Sequence, residues 1–261
     1  MLHAYRAGDG EPLLLIHGLG AHWRVWEPVL ERLESSFEVF APDLPGFGAS
    51  PPLADGRLPD IPGLCDAVEA AMDEAGLGVA HAAGNALGGA LALELGQRGR
   101  ARTVCAIAPA GAAHGWEARW AVASLRALRA SARALSPAMP MLTRSAVGRT
   151  LTLWPTASRP WRMDPEWAAA LARAYADGPG FLPTLEAVDW ARFASGLADV
   201  SCPVVIAWGS RDRLLLSRQG PRFAQAIPHA RLVRLGGLGH TPMSDDPGAV
   251  ADLIRRAARL G

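Results

Sequence analysis

A mainly parallel α/β sheet, covered by helices on both faces, is the fold class this chain predicts, and three observations predict it. Short apolar runs with Gly or Pro at or near their ends alternate with longer helix-patterned stretches. Strands that alternate with helices in this way imply parallel pairing with both sheet faces buried. The alternation breaks only once, over a long strandless stretch, and 261 residues suffice for one large core with a modest insertion.

In chain order, the clear strands are PLLLIHG (12–18), FEVFAPD (37–43), RTVCAIAPA (102–110) and CPVVIAWG (202–209). A weaker run, GVAHAAGN (78–85), stands before the third of the glycine-rich turns, and ARLVRLGG (230–237) closes the set. Helices are expected over LCDAVEAAMDEAG (64–76) and ALGGALALELGQRG (86–99). Gly76 and Gly99 stand where helices stop, because glycine enters the left-handed C-terminal turn cheaply. After Gly111 no strand pattern appears until about residue 189. That stretch carries helix-like Arg/Ala/Leu segments and five of the nine tryptophans: Trp116, Trp120, Trp154, Trp161 and Trp167. Pro137, Pro140, Pro155, Pro160, Pro165 and Pro183 punctuate it into short helices. The expected division is a core over 1–111, a helical cap over 112–189 and the rest of the core over 190–261.

Composition narrows the function classes. Half the residues are hydrophobic, a fifth are charged and the net charge is +1, so no partnership with nucleic acid or an anionic membrane is expected. Every basic residue other than histidine is Arg, which excludes lysine Schiff-base chemistry. Cys65, Cys105 and Cys202 are scattered, so they read as small hydrophobes with no zinc or disulfide pattern. No signal pattern and no membrane-length apolar run is seen, which makes a cytoplasmic location the default. A monomer or weak homodimer is the default assembly.

Gly84-Asn85-Ala86-Leu87-Gly88 joins a strand to a helix with the glycine frame of a nucleophile elbow, where a Cβ two positions either side of the centre would clash with crossing backbone. Glycine-rich strand-to-helix turns also bind phosphate, so the frame alone does not decide its use. His17-Gly18-Leu19-Gly20 ends the first clear strand. Beside a true elbow, the amides of Leu19 and Leu87 would form an oxyanion hole. Asp43-Leu44-Pro45-Gly46 reads as a structural corner. Late in the chain, WGSRD places Asp212, and GLGHTP places His240, each just past a strand end. Strand C-termini of a parallel sheet share one edge, so Ala86, Asp212 and His240 are expected to converge there, with the carboxylate orienting the imidazole.

HGLG, DLPGFGAS, GNALGG, WGSRD and GLGHTPMSDDP, in that order and spacing, resemble the α/β-hydrolase superfamily over nearly the whole chain. The resemblance implies the α/β-hydrolase fold with a helical cap inserted between strand 6 and strand 7. It also implies a nucleophilic serine at position 86, acid Asp212, base His240, oxyanion amides at Leu19 and Leu87, and no metal or organic cofactor. The departure is at the nucleophile, where Ala86 stands instead. Aspartate there would suggest dehalogenase or epoxide-hydrolase chemistry and cysteine a thiol hydrolase, but alanine suggests neither.

Ser→Ala removes one oxygen and keeps the Cβ, the change an experimenter would choose to stop acyl transfer while preserving the pocket. On that reading the enzyme hydrolyses a bulky, largely apolar ester, thioester or lactone, and this chain is its inactive form. Carbon–carbon hydrolysis of a diketone, or acyl transfer to another acceptor, uses the same groups. The alternatives are a natural pseudoenzyme that binds a ligand, or a lyase or cyclase using His240 as base without a nucleophile. His22, near the pocket mouth, and Trp154 and Trp161, as part of an apolar wall, are the candidate substrate contacts. Arg144, Arg149, Arg159 and Arg162 are expected to be solvated, with one available to a substrate carboxylate or carrier phosphate.

Overall fold

A computed structural model describes residues 1–54, 56–190 and 197–261. Among the described residues seven strands form one sheet: β1 (Ala4–Ala7), β2 (Glu11–Ile16), β3 (Phe37–Pro42), β4 (Ala80–Asn85), β5 (Ala101–Ile107), β6 (Val204–Gly209) and β7 (Arg231–Leu235). Their order is β1-β3-β2-β4-β5-β6-β7, with β1 antiparallel to β3 and every other pairing parallel. The central strands β4 and β6 are buried along their whole length, as apolar runs covered on both faces should be. From β2 the chain first winds outward to β3 and then returns to β4 on the other side. That reversal opens a crevice at the C-terminal ends of β2 and β4, where such sheets hold their sites.

The covering helices are α1 (Glu27–Glu34), α2 (Ile61–Glu74), α3 (Leu87–Gln97), α9 (Gly220–Ala226), α10 (Pro242–Asp245) and α11 (Pro247–Ala258). Between β5 and β6 lie α4 (Trp116–Leu135), α5 (Met139–Leu142), α6 (Ala146–Leu153), α7 (Pro165–Asp177) and α8 (Phe181–Ala187). The insertion therefore follows the fifth strand and not the sixth. The N-terminal segment supplies only one strand, β1, so the count before the insertion is one short of the expected numbering. The end of the expected cap abuts residues 191–196, which lie outside the described residues.

Local chemistry explains the helix ends. Asp60, Ser145, Asp164 and Asp246 cap α2, α6, α7 and α11 by accepting backbone N–H bonds through their side chains. Pro165 and Pro247 occupy first positions, where no N–H is needed. Gly76 and Gly99 follow α2 and α3 at φ 73° and 75°, the left-handed stop expected of them. Cys65 and Cys105 are buried and Cys202 is partly buried; burial pushes the Cys105 thiol up to about 12, which makes it inert as a nucleophile.

One buried histidine ties the first site loop to its neighbour. His17 Nδ1 donates to the Gly18 carbonyl at 2.8 Å, and Nε2 accepts the Leu44 N–H at 2.8 Å. Both nitrogens are thus used by the neutral tautomer, and burial pushes the group down to about 4. The unfolded chain takes up a proton near the ordinary histidine value while the folded chain refuses it. Stability from this group is complete above the unfolded value, near 6.5, and is lost as pH falls from there toward about 4, by on the order of 3 kcal/mol. Chemical denaturation across that window, with His17→Gln beside the parent, should show a shallower pH slope in the variant. Parallel slopes would refute the assignment.

Candidate active site

The elbow forms because α3 crosses the ends of β2 and β4 in direct backbone contact. A Cβ on Gly84 would lie 2.0 Å from the Gly88 carbonyl oxygen, and one on Gly88 would lie 2.1 Å from that of Ile16. No side chain fits either place, so both glycines are obligatory. Between them Ala86 is forced to φ 54°, ψ −113°, an unfavourable backbone for any L-residue with a Cβ. Three hydrogen bonds hold it there: Ala86 N donates to the Ile107 carbonyl, and the Ala90 and Ala110 amides donate to the Ala86 carbonyl, all within 3.1 Å. The Ala86 methyl is thereby presented at the head of α3.

Asp212 and His240 meet beneath the same edge. His240 Nδ1 lies 2.8 Å from Asp212 Oδ2, with both side chains buried. Asp212 Oδ1 accepts the Leu214 and Leu215 amides at 2.9 Å each, which fixes the carboxylate plane. The loops carrying the pair interlock. Arg211 N donates to the Leu238 carbonyl, and a Cβ on Gly209 would sit 2.2 Å from the Gly239 carbonyl oxygen. With Nδ1 engaged by Asp212, Nε2 is the ring nitrogen left for the cavity that His240 lines together with Ala86.

That cavity is also lined by Gly18, Leu19, Leu87, Leu215 and Thr241 from the core. Gly18 packs closely on the elbow, since a Cβ there would lie 3.3 Å from the Ala86 methyl. Leu87 opens α3, so its N–H has no partner within the helix and is free to meet an oxyanion. The helical insertion closes the top with Leu125 and Tyr175, and Trp190 follows from just beyond α8. Tyr175 and Leu214 also line a larger cavity of about 250 Å³ inside the insertion, bounded by Trp120, Leu128, Met139, Leu151 and Trp154. The two chambers therefore share a wall, the wide one mainly apolar with Ser124, Ser131, Thr152 and Arg213 in its lining, and the narrow one holding Asn85, His240 and Thr241.

The candidate substrate contacts separate on this geometry. Trp154 lines the wide chamber. Trp161 instead faces a shallow surface cleft with Val147 and Leu151, and its carbonyl accepts from Arg149. His22 lies outside the lining of both chambers: its ring caps the turn at Arg24 and it packs toward the Ala170 carbonyl, with burial pushing its pKa down. A turn six residues past the end of β2 points His22 at the insertion's α7 and not into the crevice. Arg149 is buried and satisfies the carbonyls of Thr143, Arg144 and Trp161, whereas Arg144 and Arg162 are exposed as expected. Asp43 is the structural corner it resembles, accepting the Trp23 and Ala49 amides.

Two polar residues at the site stand inside GNALGG and GLGHTPMSDDP, where the residue pattern assigns them no role of their own. Asn85 Nδ2 donates to the carbonyls of Ile107 (3.2 Å) and His240 (3.0 Å), tying elbow to histidine loop. Asp245 is buried and accepts the amides of Gly239 (2.6 Å), Ser158 (3.0 Å) and Arg159 (2.8 Å). It thus pins the His240 loop to the insertion. The only sequence signal for Asp245 is a second acid beside the Asp246 helix cap. Asp245→Ala leaves three amides without their acceptor, and about 2–4 kcal/mol of stability should be lost in denaturant titration. A change below about 0.5 kcal/mol would show that water satisfies these amides instead.

Comparison with known proteins adds the family. The chain is 32% identical over 199 residues to the epoxide hydrolase EphH of Mycobacterium tuberculosis, covering 73% of this chain and 91% of that one. Its structure is similar to the enol-lactonase from Burkholderia xenovorans LB400, with a TM-score of 0.77 and 23% identity over 99% of this chain and 96% of the other. It is also similar to a thermophilic esterase from Thermogutta terrifontis, with a TM-score of 0.74 and 22% identity over 99% and 93% of the two chains. These two likenesses extend the fold, while the sequence itself matches the alpha/beta hydrolase family model over residues 13–253, so the chain belongs to the alpha/beta hydrolase family.

Proposed function

We propose that this site is built for acyl hydrolysis through a serine at position 86, and that the chain with Ala86 binds substrate without forming the covalent intermediate. The observation that carries the reading is the Asp212–His240 pair at 2.8 Å, with His240 and Ala86 lining one cavity whose other wall includes Leu19 and Leu87. In the hydroxyl-bearing form, His240 Nε2 takes the serine proton as the oxygen attacks the acyl carbon. The Leu19 and Leu87 amides hold the oxyanion, and the imidazolium, oriented by Asp212, protonates the leaving group. Water then attacks the acyl-enzyme by the same route in reverse and releases the acid.

Acyl chemistry is favoured over the epoxide opening named for the relative. Covalent epoxide opening needs a carboxylate nucleophile, and among the described residues of the chain as it stands no Asp or Glu lines either chamber. Asp212 is committed to His240 and two amides. The wide apolar chamber beside the reacting one suits a bulky, largely apolar ester, thioester or lactone.

Ala86→Ser should raise hydrolysis of medium-chain chromogenic esters by on the order of 10³-fold or more over the parent. The variant should also react covalently with a fluorophosphonate probe, which the parent does not. Adding His240→Gln should abolish both gains. A correctly folded Ala86→Ser protein that hydrolyses no ester and takes no label would overturn the proposal.

A further inference from the structure

The near-neutral net charge conceals a strong polarity. Residues 118–163 contain eight arginines and no Asp or Glu, whereas the rest of the chain holds 18 arginines against 25 acids, a net −7. The whole excess of positive charge thus sits in the insertion, from α4 to the turn before α7. Arg119, Arg126, Arg133, Arg144 and Arg162 of this stretch are exposed. Among the described residues only Arg126 of these five has a carboxylate partner, Glu186.

The same stretch holds most of the exposed large apolar side chains. Met141 is 68% exposed, Val147 70% and Leu151 72%, and Trp120, Trp154 and Trp161 are each nearly half exposed. Val147 and Leu151 stand one turn apart on α6, and with Ala146, Thr150 and Trp161 they form one continuous shallow cleft. Arg144 precedes this helix, while Arg162, which follows Trp161, lines the neighbouring cleft with Glu27, Asp164 and Glu166. Leu151 belongs to both the cleft and the wide chamber, whose rim carries Trp120, Trp154 and Arg213. Arg213 stacks over Trp154 at 5.0 Å and is itself exposed. The chamber therefore opens beside the apolar patch.

We propose that this face of the insertion docks on an anionic lipid bilayer. Aliphatic side chains and amphipathic indoles bordered by Arg144 and Arg213, neither with a carboxylate partner among the described residues, match the acyl–headgroup boundary in both polarity and charge. The acidic body is repelled by the same surface, which orients the molecule with its chamber mouth toward the lipid. No helix among the described residues is long and apolar enough to cross a membrane, so the contact is interfacial. A second copy of the chain fits the patch less well, because it would bring the same arginine-rich, acid-free face against itself. Nucleic acid would use the cations but would leave Met141, Val147 and Leu151 facing water. A lipid-side mouth would also suit an apolar substrate drawn from the membrane, although docking itself does not depend on residue 86.

Flotation of the full chain with vesicles tests this directly. The protein should float with vesicles containing a third phosphatidylglycerol, stay unbound with pure phosphatidylcholine, and dissociate at high salt. The double substitution Val147→Asp with Leu151→Asp should weaken binding at least tenfold. Arg144→Gln should weaken it about fivefold. Arg259→Gln, at the C-terminal end of α11 beside the start of β5, should leave it unchanged. These positions are highly exposed, so unchanged thermal melting separates lost docking from lost folding. No flotation at low salt, or flotation indifferent to the double aspartate change, would overturn the proposal. So would a dimer in sedimentation that the same double change breaks, or capture by a DNA duplex but not by vesicles.

Discussion

At the head of α3 two backbones pass so closely that a methyl group on Gly84 or Gly88 would overlap a carbonyl oxygen, and the rest of the site is arranged around that crossing. The approach forces residue 86 into a positive φ at a cost of order 1–3 kcal/mol. Hydrogen bonds to Ile107, Ala90 and Ala110 offset this cost, and none of them uses the side chain of residue 86. The elbow is therefore shaped by its neighbours. An alanine at its apex keeps the Cβ direction and the open amide of Leu87, so the shape of the turn does not depend on which side chain stands at 86.

The crossing also explains which parts of the molecule were legible from the residues in order. Features imposed by backbone sterics leave their mark locally: glycines at 84 and 88, left-handed glycines at 76 and 99, and prolines at helix starts. The uninterrupted apolar strands and the convergence of Asp212 with His240 follow from the same local reading plus the rule that parallel strands end together. β1 escaped because AYRA has four residues and no apolar pattern, and exists only through pairing with β3. Asn85, Asp245 and Tyr175 escaped for a different reason: their roles are set by partners as far as 155 residues away or by packing under the insertion. His22 and Trp161 were legible as aromatic groups near the site, but their directions depend on a turn and a helix face that the residue types do not specify.

The insertion is bound to the chemistry at two places of unlike character. At residues 156–159 it is locked to the histidine loop, through Asp245 and through Thr241 N donating to the Thr156 carbonyl at 2.7 Å. At its start, buried Glu117 pairs with Arg222 and Arg218 on the core, and Arg222 also donates to the Ala112 carbonyl. Over the wide chamber the lining is mainly apolar, with Trp120 Nε1 donating to the Arg213 carbonyl and Arg213 donating to the Trp154 carbonyl at its rim. Directional bonds thus hold the parts that must keep register with His240. The parts that line the wide chamber rely mainly on packing, which tolerates a range of shapes at modest cost.

Asp212 and His240 would be weak evidence for chemistry if the pair were needed only to close its loops. Part of it is: the carboxylate organises the Leu214 and Leu215 amides, and the backbone carbonyl of His240 receives Asn85. These bonds would exist with a neutral acceptor at 212 and with any residue at 240. The imidazole ring itself is different. Its Nδ1 satisfies Asp212, but a buried ring that ends in a cavity beside the elbow gains nothing for the fold at its other nitrogen. A leucine of similar size would fill that space without the cost of burying a polar edge. Among the described residues Nε2 has no hydrogen-bond partner, and a molecule in the cavity would supply one. That free edge is the observation on which the proposed proton transfer rests, beyond a loop that merely contains an acid and a histidine.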